Sequence, residues 1–341
     1  MHPPSVPLEA AIMLNFLKLS IMTRQKLLLC GASGFIGRNL LNTFLENSQI
    51  ELYACVHKTP LPSDLVNHPR LHVVQADLTR DGDVRRVVAE MDAVVQAAAI
   101  TSGAAQIITA PHIHVTDNAV MNALIFRACH DNKVSHLVYF SCIIMYPQCA
   151  APAKEADFDH MIGDEYFGAG WTKVYAEKMC EFYSRLGHTR FTVIRHSNIY
   201  GPHDKFDLDR SHVFGATVAK VMSSNDKTIV VWGDGTEMRD LLYIDDLVNL
   251  VGTCLAMQYT PFELINAGSG QLVSVAELVQ LIQLAAGKQL AVEFDKTKPT
   301  IAVSLAVDSG RAERVFGWTP QTPLAEGIKK SLQWYQSSIQ P

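Results

Sequence analysis

The 341-residue chain is poor in charge: only 18% of its residues are Asp, Glu, Lys or Arg, and no run of three or more Lys/Arg occurs. With a formal net charge of −5, this excludes the basic footprint of a nucleic-acid-binding surface. There is no Cys-x-x-Cys pair, and the seven cysteines (30, 55, 129, 142, 149, 180 and 254) are odd in number and sit mostly inside apolar patterns. That usage argues against a disulfide framework or a zinc site and fits a reducing compartment, so the expected location is the cytoplasm. Hydrophobic runs of membrane length are missing too. Ala10 to Met22 is apolar enough to suggest the core of a signal peptide. However, no basic segment precedes it, Asn15 and Lys18 interrupt it, no small-residue cleavage pattern follows, and it falls short of the about 20 residues that span a bilayer. Residues 1–23 are therefore read as an N-terminal extension with no assigned function. Internal repeats and low-complexity stretches are absent as well.

What the chain does have is apolar mass, 48% hydrophobic residues, enough to bury a large core and to build a cofactor domain plus a smaller one. The most informative stretch is Lys26-Leu27-Leu28-Leu29-Cys30-Gly31-Ala32-Ser33-Gly34-Phe35-Ile36-Gly37. It reads as strand, tight turn and helix start, continued by Arg38 to Leu45. Gly31 turns where a side chain would clash, Gly34 lets backbone N–H groups approach a pyrophosphate, and Gly37 lets the helix pack on the strand. The helix N-terminus, with Ser33, Phe35 and Ile36 around it, then presents its partial positive charge to the phosphates. Spacing and context together predict a dinucleotide site.

The following segments alternate strand and helix. Glu51 to Val56 reads as a second strand ending at His57-Lys58, where an acid would bond the adenosine ribose of NAD and a cation would tolerate the extra phosphate of NADP. NADP is the expected cofactor, with NAD possible; a plain solvated loop is the competing reading of His57 and Lys58. Leu71 to Gln75 leads into Asp77-Leu78, where an acid could bond the adenine amine. Ala93 to Gln96 leads into Ala97-Ala98-Ala99, whose small side chains let a cofactor lie close. Leu137 to Phe140 delivers Ser141-Cys142 to the sheet edge where ligands bind. The pattern predicts an α/β fold, a doubly wound parallel (Rossmann) sheet over 24–197. Residues 237–262 are expected to return to that sheet. Residues 198–236 and 263–341 form a smaller C-terminal α/β region for substrate, in which Arg239 to Asp246 opens a helix.

Several motifs occur in order: Gly31-x-x-Gly34-x-x-Gly37, Ala97 to Ala99, Asn118, Lys173, Asn198-Ile199-Tyr200-Gly201-Pro202-His203-Asp204, and Arg239-Asp240-x-x-Tyr243-x-x-Asp246. Together they resemble the extended short-chain dehydrogenase/reductase (NAD-dependent epimerase/dehydratase) family over roughly Lys26 to Tyr335. Within it, Tyr200 to Phe206, Ser211-His212-Val213, Val230 to Arg239 and Phe294 to Pro299 are most similar to the GDP-L-fucose synthase branch, epimerase-reductases of a GDP-4-keto-6-deoxy sugar. The resemblance implies a nucleotide-sugar substrate, with Asn198, His212, Trp232, Arg239 and Lys298 on the substrate side. It implies His196 and Ile199 on the cofactor side. His212 would be the acid of epimerisation, and a homodimer would form through the helices at 118–130 and 171–186. Arg and Lys suit a diphosphate, and an indole offers a donor and a flat surface.

The family's chemistry uses a Ser, a Tyr and a Lys, with the Tyr four residues before the Lys. Here Lys173 aligns, but Ala169 stands in the Tyr position, Cys142 in the Ser position with Ser141 one residue earlier, and Ile144 in the position of the epimerisation base. Tyr166, seven residues before Lys173, would lie on the same face of an unbroken helix and is the expected replacement acid/base. A packed aromatic is its competing reading. Cys142 would serve as a weak donor or as a thiolate beside Lys173. Three functions follow from these residues: an NAD(P)-dependent reductase/epimerase of a GDP-sugar, a 4-epimerase or dehydratase of another sugar nucleotide, or a protein that binds both ligands without turnover.

Overall fold

In the computed structural model the described residues are 24–101, 109–148, 151–207, 211–225, 227–298, 300 and 304–339. The apolar runs build β1 (Gln25–Cys30), β2 (Ile50–Val56), β3 (Leu71–Gln75), β4 (Ala93–Gln96), β5 (His136–Cys142), β6 (Arg190–His196) and β10 (Phe262–Ala267). They form one seven-stranded sheet of order β10-β6-β5-β4-β1-β2-β3, parallel at every pairing. The period of two shows in β1, where Leu27 and Leu29 enter one apolar core and Leu28 and Cys30 the other. A sheet with both faces buried needs helices on both. One face carries α1 (Phe35–Glu46) and α7 (Ile244–Met257). The other carries α3 (Asp81–Val88), α4 (Thr116–Asp131) and α5 (Phe167–Ser184); the short α2 (Ser63–Val66) follows β2. The strand order reverses between β1 and β4, opening a crevice at their carboxyl ends, where ligands bind in such sheets.

The rest of the chain lies over that edge. A three-stranded sheet pairs β9 (Met238–Tyr243) with β7 (Asn198–Tyr200) in parallel and with β11 (Leu272–Ser274) antiparallel. A two-stranded sheet pairs β8 (Thr228–Trp232) with β12 (Ala291–Asp295). Around them pack α6 (Val213–Ser223), α8 (Val275–Ala285), α9 (Gly310–Phe316) and α10 (Leu324–Ser338).

Two readings of the sequence need correction. Residues 239–243 are strand, and the helix starts only at Ile244. Asp240 explains why: fully buried, it accepts the backbone N–H groups of Ser269 (2.8 Å), Gly270 (3.2 Å) and Val307 (3.1 Å), which ties an extended β9 to two other segments. The second correction concerns Tyr166. It ends a 3-10 turn, and α5 begins after it at Phe167, so the unbroken helix that would put it on the face of Lys173 does not exist. Beneath the turn lie tight contacts: a Cβ on Gly168 or Gly170 would come within 2.9 Å of Val115 or Ile162, respectively.

Candidate active site

The glycine turn forms as its spacing predicts. Gly31 has φ +74°, and a Cβ there would come within 2.7 Å of the Ala98 Cα, so the turn and the small residues after β4 touch backbone to backbone. Gly37 is more constrained still, since its Cβ would sit 2.1 Å from the Gly31 carbonyl oxygen. Gly34 caps α1 in extended conformation without a side-chain cap, and no acid stands in the first turn. The N–H groups of this turn, near Ser33, Phe35 and Ile36, are thus left facing the crevice, which is the donor set a pyrophosphate needs. Ala97 continues β4 by donating its N–H to the Cys30 carbonyl (3.2 Å), and Asn118 clamps the next turn through both the N–H and the carbonyl of Ile100 (2.9 and 3.1 Å).

On the adenosine side, His57 and Lys58 are exposed at the end of β2. Asp77 lies near His57, and its carboxylate is held below the usual range chiefly by the Thr79 hydroxyl and N–H (2.6 and 3.1 Å). Leu78 is buried in the core beneath.

The centre of the crevice is built on β5, α5 and β6. From α5, Lys173 donates to the Phe140 carbonyl at 2.7 Å, with its ammonium 5.0 Å from the centre of the Tyr139 ring. Burial lowers its pKa, while Cys142 and Glu177 pull it back up. Cys142 responds in the opposite sense: burial raises the thiol, only partly offset by Lys173, so it is a neutral thiol rather than a thiolate at pH 7. His196 at the end of β6 is pushed down to about 4 by burial; its neutral ring holds the Ser197 carbonyl through Nδ1 (2.7 Å) and leaves Nε2 as an acceptor.

Tyr166, although outside the helix, still belongs to this cluster. Burial raises its phenol, the Arg239 cation counteracts that, and Cys142 is a further electrostatic neighbour. At neutral pH it is a protonated phenol in a crevice. Ser141, by contrast, is fully buried and donates to Glu177 Oε1 at 2.5 Å. Glu177 also carries a paired Arg195 (2.6 and 3.0 Å), which reaches the Tyr146 hydroxyl (2.8 Å), and Tyr146 in turn donates to Asn266 (2.7 Å). This buried network ties β5, α5, β6 and β10 together under the crevice, and Ser141 is engaged in it rather than in the cleft. Tyr175 points outward and is exposed.

On the far wall, His212 stands at the N-terminal end of α6, where its side chain makes no capping bond. Burial lowers its pKa first, followed by Lys205, Arg239 and His114, so its imidazole is neutral at pH 7 and would need to gain a proton before acting as an acid. Lys205 bridges to the Thr101 carbonyl at 3.2 Å. Arg239 is half-buried, and burial is the main force lowering its pKa. Asn198 donates to the Asp240 carbonyl (3.1 Å), and Ile199 is buried opposite Leu242. Trp232 ends β8 opposite Asp295, and Lys298 follows three residues later, exposed at the same end of that small sheet. Sequence reasoning missed three basic groups here: Lys205, His114 and Lys220, whose ammonium stands 5.6 Å from the centre of the Trp232 ring. Only the position of Lys220 in α6, the helix that directly follows His212, could have suggested it.

A doubly wound sheet, a glycine turn and a basic crevice holding a Lys, a neutral imidazole and a protonated phenol define a nucleotide-dependent enzyme fold of the dehydrogenase type. The profile of the NAD dependent epimerase/dehydratase family matches residues 27–268, and the chain belongs to that family. Among its relatives, GDP-L-fucose synthase of Sinorhizobium fredii is 30% identical over 274 residues, 77% of this chain and 85% of that protein. A dTDP-4-dehydro-6-deoxy-D-allose reductase of a Streptomyces species is 26% identical over 321 residues, 91% of this chain and 95% of that one. In fold, the chain matches the UDP-glucuronic acid 4-epimerase of Bacillus cereus, solved with UDP-glucuronic acid and NAD, with TM-score 0.80 at 23% identity, covering 92% of this chain and 99% of that structure.

Proposed function

We propose that this protein is an NADP-dependent reductase of a nucleotide-linked 4-keto-6-deoxy sugar, with a GDP-sugar as the first substrate to test. One observation carries the reading: Lys173, Cys142, His196, Tyr166, Arg239 and His212 form a chain of electrostatic neighbours by the carboxyl ends of β5 and β6, beside the sheet's reversal point. The glycine turn fits a dinucleotide, whose nicotinamide supplies or accepts a hydride when bound. The chain's own groups do the rest. Arg239 and Lys205, both neighbours of His212, offer cations to a diphosphate, with Lys298 beyond, and Trp232, with Lys220 against its ring, offers an aromatic surface to a base. Tyr166 holds a proton that the sugar C4 oxygen can take, and the nearby Arg239 stabilises the phenolate left behind. Ile144, a hydrocarbon, stands where the resemblance puts the epimerisation base, which favours reduction over epimerisation.

Ala169, in the usual Tyr position, supports a second reading, a protein that binds cofactor and sugar nucleotide without turnover. The test is an assay of the purified chain with GDP-4-keto-6-deoxymannose and NADPH or NADH, following nicotinamide absorbance and product mass. Consumption of NADPH supports the reductase. Interconversion of C4 epimers without net consumption would mean a 4-epimerase, and tight binding of both ligands without chemistry would mean the binding protein.

The homodimer belongs to the same proposal. Phe167, Tyr175 and Phe182 on α5 are 59%, 59% and 56% exposed, and Val120 on the adjoining α4 extends the patch. Such a face fits a second copy of the chain.

A further inference from the structure

The turn between β8 and β9 folds a carboxylate back over the end of β8. The Glu237 carbonyl accepts the Val275 N–H at 2.9 Å, one residue beyond the β9–β11 pairing. Glu237 therefore continues the strand, and its side chain leaves on the same side as that of Arg239, two residues on. Gly233, directly after Trp232, has φ +89°, and a Cβ there would meet Glu237 Oε1 at 2.1 Å and the Thr300 methyl at 3.0 Å. The carboxylate thus rests on bare backbone beside Trp232, with the Arg239 cation as an electrostatic neighbour. Among the described residues, neither of its oxygens has a hydrogen bond or an ion pair; Oε2 is shielded from solvent, and Oε1 is the one a ligand can reach. A half-buried acceptor without a donor is costly, and a donor brought by a ligand would satisfy it.

The bases of nucleoside diphosphates differ in what they offer such an oxygen. Guanine carries two neighbouring donors, N1–H and the N2 amino group, on one edge. Uracil and thymine carry a single N–H between two carbonyl oxygens, which a carboxylate, an acceptor only, repels.

We propose that Glu237 reads the base of the nucleotide sugar, its Oε1 accepting from the N1–H and amino edge of guanine while uracil and thymine are turned away. This rests on the sugar-nucleotide reading above and assigns the choice of base to a carboxylate in the turn before Arg239, leaving the diphosphate to the cations.

The test is calorimetric binding of GDP, IDP, UDP and inorganic pyrophosphate to the full chain, with no turnover involved. IDP keeps the N1–H of guanine and lacks only the amino group. Wild type is expected to bind GDP about tenfold tighter than IDP and at least about tenfold tighter than UDP. Glu237→Ala should reduce the preference for GDP over UDP to about twofold, and Glu237→Gln, which keeps the shape but adds a donor, to about threefold; pyrophosphate affinity should stay within about twofold in both. The comparison of GDP with IDP in wild type keeps the proposal testable if neither variant folds. Equal affinity of wild type for GDP and UDP, equal affinity for GDP and IDP, or a preference for GDP that survives both variants would overturn the role of Glu237 while leaving the sugar-nucleotide site standing. Binding of no nucleoside diphosphate would overturn the sugar-nucleotide site itself, and this role with it.

Discussion

Tyr166 is where the chemistry is most exposed to test. A phenol donating a proton to a developing alkoxide contributes roughly 10²–10⁴ in rate, so Tyr166→Phe should lower kcat by at least about 100-fold. Steady-state kinetics with parallel binding measurements would check this, because cofactor and sugar-nucleotide affinities should stay within about twofold. Asp204 makes a separate, pH-dependent prediction. It is buried with Oδ2 unpartnered, and burial raises its pKa to about 7, against the N–H and charge of Lys205. Between the ordinary 3.8 and about 7 the folded chain holds a proton that the unfolded chain has lost. Stability should therefore fall as pH rises through that window and level off above it. Asp204→Asn should remove this slope and raise Tm at pH 8 by roughly 2–4 °C, as melting curves from pH 4 to 8 would show. At this scale the sequence was only partly legible. Lys173 and Arg239 could be placed because motif spacing fixes them. Whether Ser141 faces the cleft or Glu177 depends on a partner 36 residues away, and nothing local encodes that.

The glycine turn carries the argument at the scale of elements. A Cβ on Gly37 would meet a backbone oxygen at 2.1 Å, and backbone cannot rotate aside. Gly37→Ala should therefore separate α1 from β1, with soluble yield and dinucleotide binding lost together. Gly82 in α3 is the control: nothing lies within 4 Å of its Cβ, so Gly82→Ala should stabilise by up to about 1 kcal/mol in denaturant titrations. Elements with a clear period were legible: β3 and β4 fall on the expected residues, 71–75 and 93–96. The expectation failed where tertiary bonds override local pattern. Leu241, Leu242 and Ile244 look like the apolar stripe of a helix, but buried Asp240 and the pairing to β7 and β11 keep the first part extended. The short α9 carried no signal strong enough to read against its loop-like flanks.

For the whole molecule, no helix among the described residues is long and apolar enough to cross a membrane, and α4 and α5 carry an exposed apolar face. If a second copy covers it, Tyr175→Arg with Phe182→Asp should halve the mass seen by light scattering while leaving the fold intact by circular dichroism. The two-layer helix packing and parallel sheet followed from alternating strand and helix patterns. The C-terminal region was not foreseen in detail, because its small sheets are assembled from strands far apart in the chain, such as β8 with β12.

The most direct test of the central claim is hydride tracing: incubation with NADPH carrying deuterium at either face of the nicotinamide C4 and a GDP-4-keto-6-deoxy sugar, followed by mass analysis of the sugar nucleotide. The account predicts one deuterium in the product, on carbon 4 and from one face only, and none with Tyr166→Phe over the same time. A product without deuterium, or label transfer undiminished in Tyr166→Phe, would contradict it.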